Sequence, residues 1–213
     1  MLVDFDGTIV LRDTAQLALE RFCDSEWTRI DEEFEKGEIT LEESLRLEFA
    51  MLKVPEQAII EEVSRVTEFR PNFGRLVDYC KSHSLPLTVV SAGLDFCIRH
   101  FLDRDEWLKF MQIYAPTSEY SEDGYKVTFP RKLLSVSSNF KDDLVRRERK
   151  RGTHVYFVGD GIGDLFAAKE SDSAFAIKGS KLAELCREQS IPHAEIDDFS
   201  EVIDELNLQT GQR

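Results

Sequence analysis

Asp4-Phe5-Asp6-Gly7-Thr8 places two carboxylates one residue apart at the end of an apolar run, Met1-Leu2-Val3. In a strand, residues i and i+2 share a face, so Asp4 and Asp6 start side by side. Gly7 carries no Cβ and lets the chain turn sharply. Two adjacent acids at a strand-to-turn junction repel unless a cation or a proton relieves them. That cost suggests a divalent-metal site. Asp-x-Asp alone reads equally as a strand running into an acidic turn. A second cluster, Gly159-Asp160-Gly161-Ile162-Gly163-Asp164, follows the strand-like run His154–Val158. Two strands therefore end in Asp- and Gly-rich turns, and in open α/β sheets the C-terminal strand ends gather where ligands bind.

Two further residues complete a set. Ser91 ends a buried-type strand, and Gly93 frees the backbone beyond it. A hydroxyl and exposed N–H groups at a helix start seat phosphate oxygens, although Ser91 alone is also a helix cap. Lys141 opens a basic helix, where it reads singly as one cation among several. Asp160 and Asp164 read singly as a turn acid and a helix N-terminal acid. Together the residues suit phosphoryl transfer, which needs a nucleophile, neutralised charge and donors for the equatorial oxygens. A carboxylate can form an aspartyl-phosphate, and a second carboxyl can protonate the leaving alkoxide and then activate water.

The elements that must position these residues follow from periodicity. Residues from about Asp13 to Ser82 read as helical, with a capping box at Thr40–Glu43 and Pro55 and Pro71 opening helices. This makes an insertion of roughly sixty residues, with exits near Leu11 and Phe69-Arg70-Pro71. Leu85–Val90 reads as a strand buried on both faces. Ile113–Ala115 suggests a short strand, and Glu122-Asp123-Gly124 a hairpin turn. Phe140–Lys150 reads as a charged helix. The tail alternates a helix at Leu165–Lys169, a strand at Ala174–Ile177, and helices at Lys181–Glu188 and Glu201–Leu206. Strands alternating with helices imply an α/β fold, a doubly wound parallel sheet.

At 213 residues, 42% hydrophobic and 32% charged, the chain suits one good core, or a core with a smaller partner. A net charge of −14 argues against nucleic acid and anionic membranes as partners. It leaves room for an anionic small substrate, because a metal and one lysine reverse the local potential. No apolar stretch reaches membrane-spanning length, and no signal peptide is visible. Cys23, Cys80, Cys97 and Cys186 are widely spaced, which suits thiols in a reducing cytoplasm. A cytoplasmic monomer or homodimer is expected.

Asp4-x-Asp6-x-Thr8, Ser91, Lys141 and Gly159-Asp160-x-x-x-Asp164 resemble, in order, the four motifs of the haloacid-dehalogenase superfamily. The helical insertion after the first motif is similar to its phosphoserine-phosphatase-like branch. The resemblance covers nearly the whole chain. It implies a Rossmann-like catalytic core over 1–11 and 71–213, with a helical cap over 12–70. It implies Mg²⁺ as cofactor and Asp4 as nucleophile and metal ligand. Asp6 would be general acid/base and would offer its backbone carbonyl to the metal. Asp160 would be a second carboxylate ligand, with Asp164 ligating directly or through water. Ser91, Ala92, Gly93 and Lys141 would bind the phosphoryl group, and Thr8 would support the first loop at the substrate site. The substrate would be a small phosphorylated metabolite.

Within that branch an arginine grips the phosphoserine carboxylate at the position of Glu48, which argues against phosphoserine here. Asp13 replaces a longer acid that holds the substrate amine. Ser91–Phe96, Ile113-Tyr114 and Phe129-Pro130 resemble the methionine-salvage phosphatases of 2-hydroxy-3-keto-5-methylthiopentenyl-1-phosphate. Asp13 and Glu48, if both face the cleft, favour a cationic leaving group such as phosphoethanolamine or phosphocholine. The plainer expectation is that Glu48 is a solvated residue of the insertion. Rival readings are a phosphotransferase, a phospho-accepting signalling module, and an inactive binding scaffold. The long helical insertion and the intact motifs separate this chain from the last two.

Overall fold

Strand β1 spans only Leu2–Val3, yet it lies inside the sheet, paired in parallel with a strand on either side. The computed structural model describes residues 1–104 and 106–210. Its main sheet has six parallel strands in the order β3-β2-β1-β6-β7-β8. Here β2 is Thr88–Val90, β3 Gln112–Tyr114, β6 Tyr156–Gly159, β7 Ser173–Ile177 and β8 Ala194–Ile196. The chain crosses the sheet through helices α5 (Phe73–Ser82), α6 (Asp95–Leu102), α7 (Trp107–Phe110), α8 (Phe140–Lys150), α9 (Leu165–Glu170), α10 (Lys181–Glu188) and α11 (Phe199–Thr210). This is the doubly wound arrangement expected from the alternation of strands and helices.

Successive strand residues feed opposite cores. Val3, Val89 and Val158 pack with Leu76, Ile98 and Val202 of α5, α6 and α11. Leu2, Val90 and Phe157 pack with Val145, Ala167 and Leu182 of α8, α9 and α10. Both faces are covered, which is why the strands read as apolar runs rather than alternating ones.

Between β1 and β2 lie α1 (Thr14–Phe22), α2 (Glu26–Glu35), α3 (Leu41–Met51), α4 (Glu56–Val66) and then α5. The chain leaves and returns side by side. Leu11 N–H donates to Glu68 O at 2.9 Å, and Arg70 N–H to Ile9 O at 2.8 Å. The expected capping box opens α3, with Glu43 Oε2 accepting from Thr40 N at 2.9 Å. A separate hairpin, β4 (Thr117–Ser121) and β5 (Gly124–Thr128), turns where expected. It packs on the insertion: Tyr125 Oη donates to Val54 O at 3.0 Å.

Several boundaries differ from the sequence expectation. β2 begins at Thr88 rather than Leu85, because Pro86 has no N–H for the ladder. Pro55 caps α4 instead of opening it. α5 starts at Phe73, after Asn72 turns left-handed at φ 65°. β8 carries a single buried apolar residue, Ile196, and so left no readable run.

Candidate active site

Asp4, Ser91 and Asp160 each follow the last residue of a strand, and the three strands β2, β1 and β6 are neighbours. The sheet alone therefore collects them at one edge. After Asp4 the chain bends through Phe5–Ile9. Gly7 adopts φ +69°, and a Cβ there would overlap the Asp160 carboxylate. The turn thus closes directly onto the second acidic loop, where Thr8 Oγ1 donates to Asp160 Oδ1 at 2.8 Å.

Carboxylate oxygens of Asp4, Asp160 and Asp164 lie within 4.8 Å of one another. Lys141 Nζ donates to Asp4 Oδ1 and to Asp164 Oδ1, each at 2.7 Å. The other oxygen of Asp164 accepts from the backbone N–H groups of Asp160 and Gly161, both at 3.1 Å. Three carboxylates against one ammonium leave an excess of negative charge in a largely buried pocket. Burial, then the charge of Asp164, pushes Asp4 up to about 7. Burial and Asp4 raise Asp160 well above the usual carboxylate range. Burial opposes the Lys141 charge, but Asp164 and Asp4 outweigh it and hold the ammonium above lysine's ordinary value. An all-oxygen set of this charge fits a hard divalent cation such as Mg²⁺.

The Asp6 carboxylate lies outside that trio. Its Oδ1 accepts from Thr14 N at 2.7 Å and Thr14 Oγ1 at 2.6 Å. Its Oδ2 faces Gly93 so closely that a Cβ on Gly93 would overlap it. Burial, then the charge of Asp13, holds the Asp6 carboxyl well above its ordinary range. Ser91 is fully buried, and its Oγ accepts from Gly93 N at 3.0 Å. Its own hydroxyl proton is then directed elsewhere.

A cavity of roughly 280 Å³ joins these residues to the helical insertion. Asp4, Asp6, Ser91, Ala92, Gly93, Lys141, Asp160 and Asp164 form its floor; α1, α2 and α3 supply Asp13, Trp27, Phe34, Leu45 and Glu48. Thr8 is not on this wall and instead orients Asp160, so it supports the site without facing substrate. Asp13 lines the cleft but also caps α1, accepting from Gln16 N at 2.8 Å. Glu48 is 6% exposed rather than solvated, and Ser44 Oγ donates to its Oε1 at 2.9 Å. The four cysteines are free and lie apart from the cavity.

Some contributors escaped the sequence. Thr14 was unreadable because its value lies in reaching back to Asp6. Asn139 caps α8, its Oδ1 accepting from Lys141 N at 2.8 Å, and its Nδ2 donates to Gly163 O at 2.9 Å. Asn two residues before a candidate lysine is a cap signal, but the bond to Gly163 joins distant loops. Arg70 donates to Gly7 O at 2.7 Å and Thr8 O at 2.9 Å.

A doubly wound sheet carrying an acidic trio and a buried lysine at its strand ends defines the class. A sequence model of haloacid dehalogenase-like hydrolases matches residues 1–169, and the chain belongs to that family. Within it, the chain is similar to phosphatases. It is 28% identical over 201 residues to the 2-hydroxy-3-keto-5-methylthiopentenyl-1-phosphate phosphatase of Bacillus pumilus (strain SAFR-032), covering 92% of this chain and 85% of that one. The phosphatase of the same name from Geobacillus kaustophilus (strain HTA426) is 29% identical over 212 residues, covering 97% and 94%. In fold, the chain matches a phosphoserine phosphatase solved as a phospho-aspartyl intermediate analogue, with a TM-score of 0.73 and 20% identity over 96% of both chains. Among the described residues no helix is long and apolar enough to cross a membrane.

Proposed function

We propose that the chain hydrolyses small phosphate monoesters through an aspartyl-phosphate on Asp4, with Mg²⁺ held by Asp4, Asp160 and Asp164. One observation carries this reading: the acidic trio and the Lys141 ammonium converge on the floor of one cavity. A divalent cation bound there supplies the positive charge that lets an anionic ester meet an anionic nucleophile. The backbone carbonyl of Asp6 would be a further donor to it.

Lys141 pins one oxygen of Asp4 and so orients the carboxylate toward phosphorus. Attack by an Asp4 oxygen forms a new O–P bond, an acyl phosphate, and breaks the phosphorus bond to the leaving oxygen. Asp6, whose burial favours its protonated form, gives that oxygen its proton. Thr14 holds one Asp6 oxygen and leaves the other facing Gly93 and the cavity. The Asp6 carboxylate then takes a proton from water, which attacks the phosphorus and releases Asp4 and inorganic phosphate. Ser91, with its oxygen held by Gly93 N–H, has its hydroxyl proton to donate to a phosphoryl oxygen. Ala92 and Gly93 line the same seat. An alcohol in place of water would make the same intermediate a phosphotransferase.

Residues 12–70 act as a cap on a core of 1–11 and 71–213, and the hairpin β4–β5 packs against the cap. The paired exits at Leu11–Glu68 and Ile9–Arg70 support this division. Closure over the cavity excludes water from the first step.

A second reading of the substrate comes from the relatives. Leu19, Trp27, Phe34 and Leu45 form an apolar wall that suits the methylthio tail of the substrate in their name. The test is phosphate release from a broad ester panel, including that compound, at neutral pH with Mg²⁺. Release that needs Mg²⁺ and is lost in Asp4→Asn is expected. A folded protein that releases phosphate from no ester overturns the reading.

A further inference from the structure

We infer that the cap side of the cavity is a subsite for a positively charged leaving group, an alkylammonium, with Glu48 as its specificity-determining residue. The inference rests on the phosphomonoesterase reading and adds the class of ester. The apolar wall explains a tail; it does not explain why carboxylates surround that wall.

Glu48 lies in α3 and is 6% exposed. Its hydrogen-bond donor is the neutral Ser44 hydroxyl, and among the described residues no cation pairs with it. A buried carboxylate without a counter-charge is costly, so evolution of such a group in a core is disfavoured unless something answers it. Asp31 and Glu35 of α2 and Asp13 line the same cleft. The two lysines on the cavity wall are already engaged. Lys141 holds Asp4 and Asp164, and Lys181 holds Glu184 at 2.9 Å. Among the described residues, no lysine or arginine of the cap side lines the cavity to receive a carboxylate or a second phosphate.

Shape agrees with charge. The cavity, roughly 280 Å³, is below the ~300–1,000 Å³ of ordinary ligand pockets, so the leaving group has few heavy atoms. Trp27 and Phe34 share the wall with Glu48, and aromatic faces attract desolvated cations. Burial already lifts Glu48 to about 7, and an ammonium beside it would restore its charge. A phosphate ester with an ammonium tail also brings a positive end to the acidic cap while its phosphate lies on the cavity floor beside Ser91 and Gly93.

The experiment compares matched esters on the intact wild-type protein with Mg²⁺. Phosphocholine is paired with 3,3-dimethylbutyl phosphate, and phosphoethanolamine with propyl phosphate. We expect kcat/KM to favour the charged member of at least one pair by about tenfold or more, the scale of one desolvated cation–π or ion contact. In Glu48→Gln, with the fold checked by circular dichroism, that ratio should collapse toward one. Asp31→Asn, at an exposed position on α2, should reduce it in the same direction and serves if Glu48→Gln does not fold. Charged and neutral members turned over equally by wild type, or a ratio untouched by both substitutions, overturns the subsite. No phosphate release from either member of any pair, nor from the broad panel, overturns the hydrolase reading instead.

Discussion

Lys141 Nζ sits 2.7 Å from Asp4 Oδ1, although 137 residues separate them in the chain. The same ammonium reaches Asp164 Oδ1 at 2.7 Å, so one lysine ties β1, α8 and the loop after β6 together. Removing it strands two buried carboxylates. Lys141→Met should lower the stability of the metal-free protein by about 3 kcal/mol or more, the scale for breaking a buried pair. Urea unfolding in EDTA checks this. A loss within the error of the extrapolation would mean that the pair contributes little to the fold.

Asp4→Asn keeps the shape of the side chain but removes its nucleophilic charge. Turnover should fall by about 10⁴-fold or more, with the far-ultraviolet circular dichroism unchanged. On wild type, Mg²⁺ with BeF₃⁻ should raise the Tm beyond Mg²⁺ alone, because a ligand that binds only the native state stabilises it. The increment should vanish in Asp4→Asn. Its persistence there would place the phosphoryl acceptor elsewhere.

Stability should depend on pH with a sign opposite to that of salt-bridged surface acids. Asp4 and Glu48 titrate at about 7 in the fold against ordinary values of 3.8 and 4.5. Between those limits the native state binds more protons than the unfolded chain, so stability falls as pH rises. It is fully present below about pH 4 and is lost as pH rises through about 7. Thermal melts in EDTA should show Tm dropping across this window, and Glu48→Gln should remove part of the slope. A Tm that rises from pH 5 to 7 in EDTA would contradict the burial of these groups.

Gly93 has no room for a methyl group, because a Cβ would run into Asp6 Oδ2 and lie 3.4 Å from Ser91 Oγ. Gly93→Ala should therefore displace the Asp6 carboxyl. We expect kcat to fall by about 10²-fold, as misplacement of a catalytic group does, while the protein stays folded. Steady-state kinetics beside a melting curve separates the two effects.

Arg70 stands at the return from the insertion and donates to Gly7 O, Thr8 O and Asp197 O at 2.7, 2.9 and 3.1 Å. Arg70→Met should cost about 2–4 kcal/mol, because it leaves carbonyls of a largely buried turn unpaired. Through Thr8 and Asp160 it should also weaken Mg²⁺ binding, measured by calorimetry. Unchanged Mg²⁺ affinity would show that the turn holds its shape without Arg70.

Much of the fold was legible because its determinants are local. The apolar runs ending at Val3, Val90 and Val158 marked buried parallel strands. The Thr40–Glu43 box and the Phe140–Lys150 pattern marked helices that the structure shows with those bounds or close to them. β8 escaped because an edge strand with one buried side chain has no periodicity to read.

The sequence by itself determined which carboxylates, hydroxyl and lysine are available, and in what order, because motif chemistry is written in residue type and short spacing. It could not decide what faces what. Only the parallel sheet sets Asp4 beside Asp160, since adjacency of β1 and β6 depends on chain crossing and not on distance along the chain. Only the packing of α3 over the strand ends turns Glu48 from an outward acid into a wall of the cavity. Burial of that kind is a property of the closed surface, and a linear pattern does not contain it.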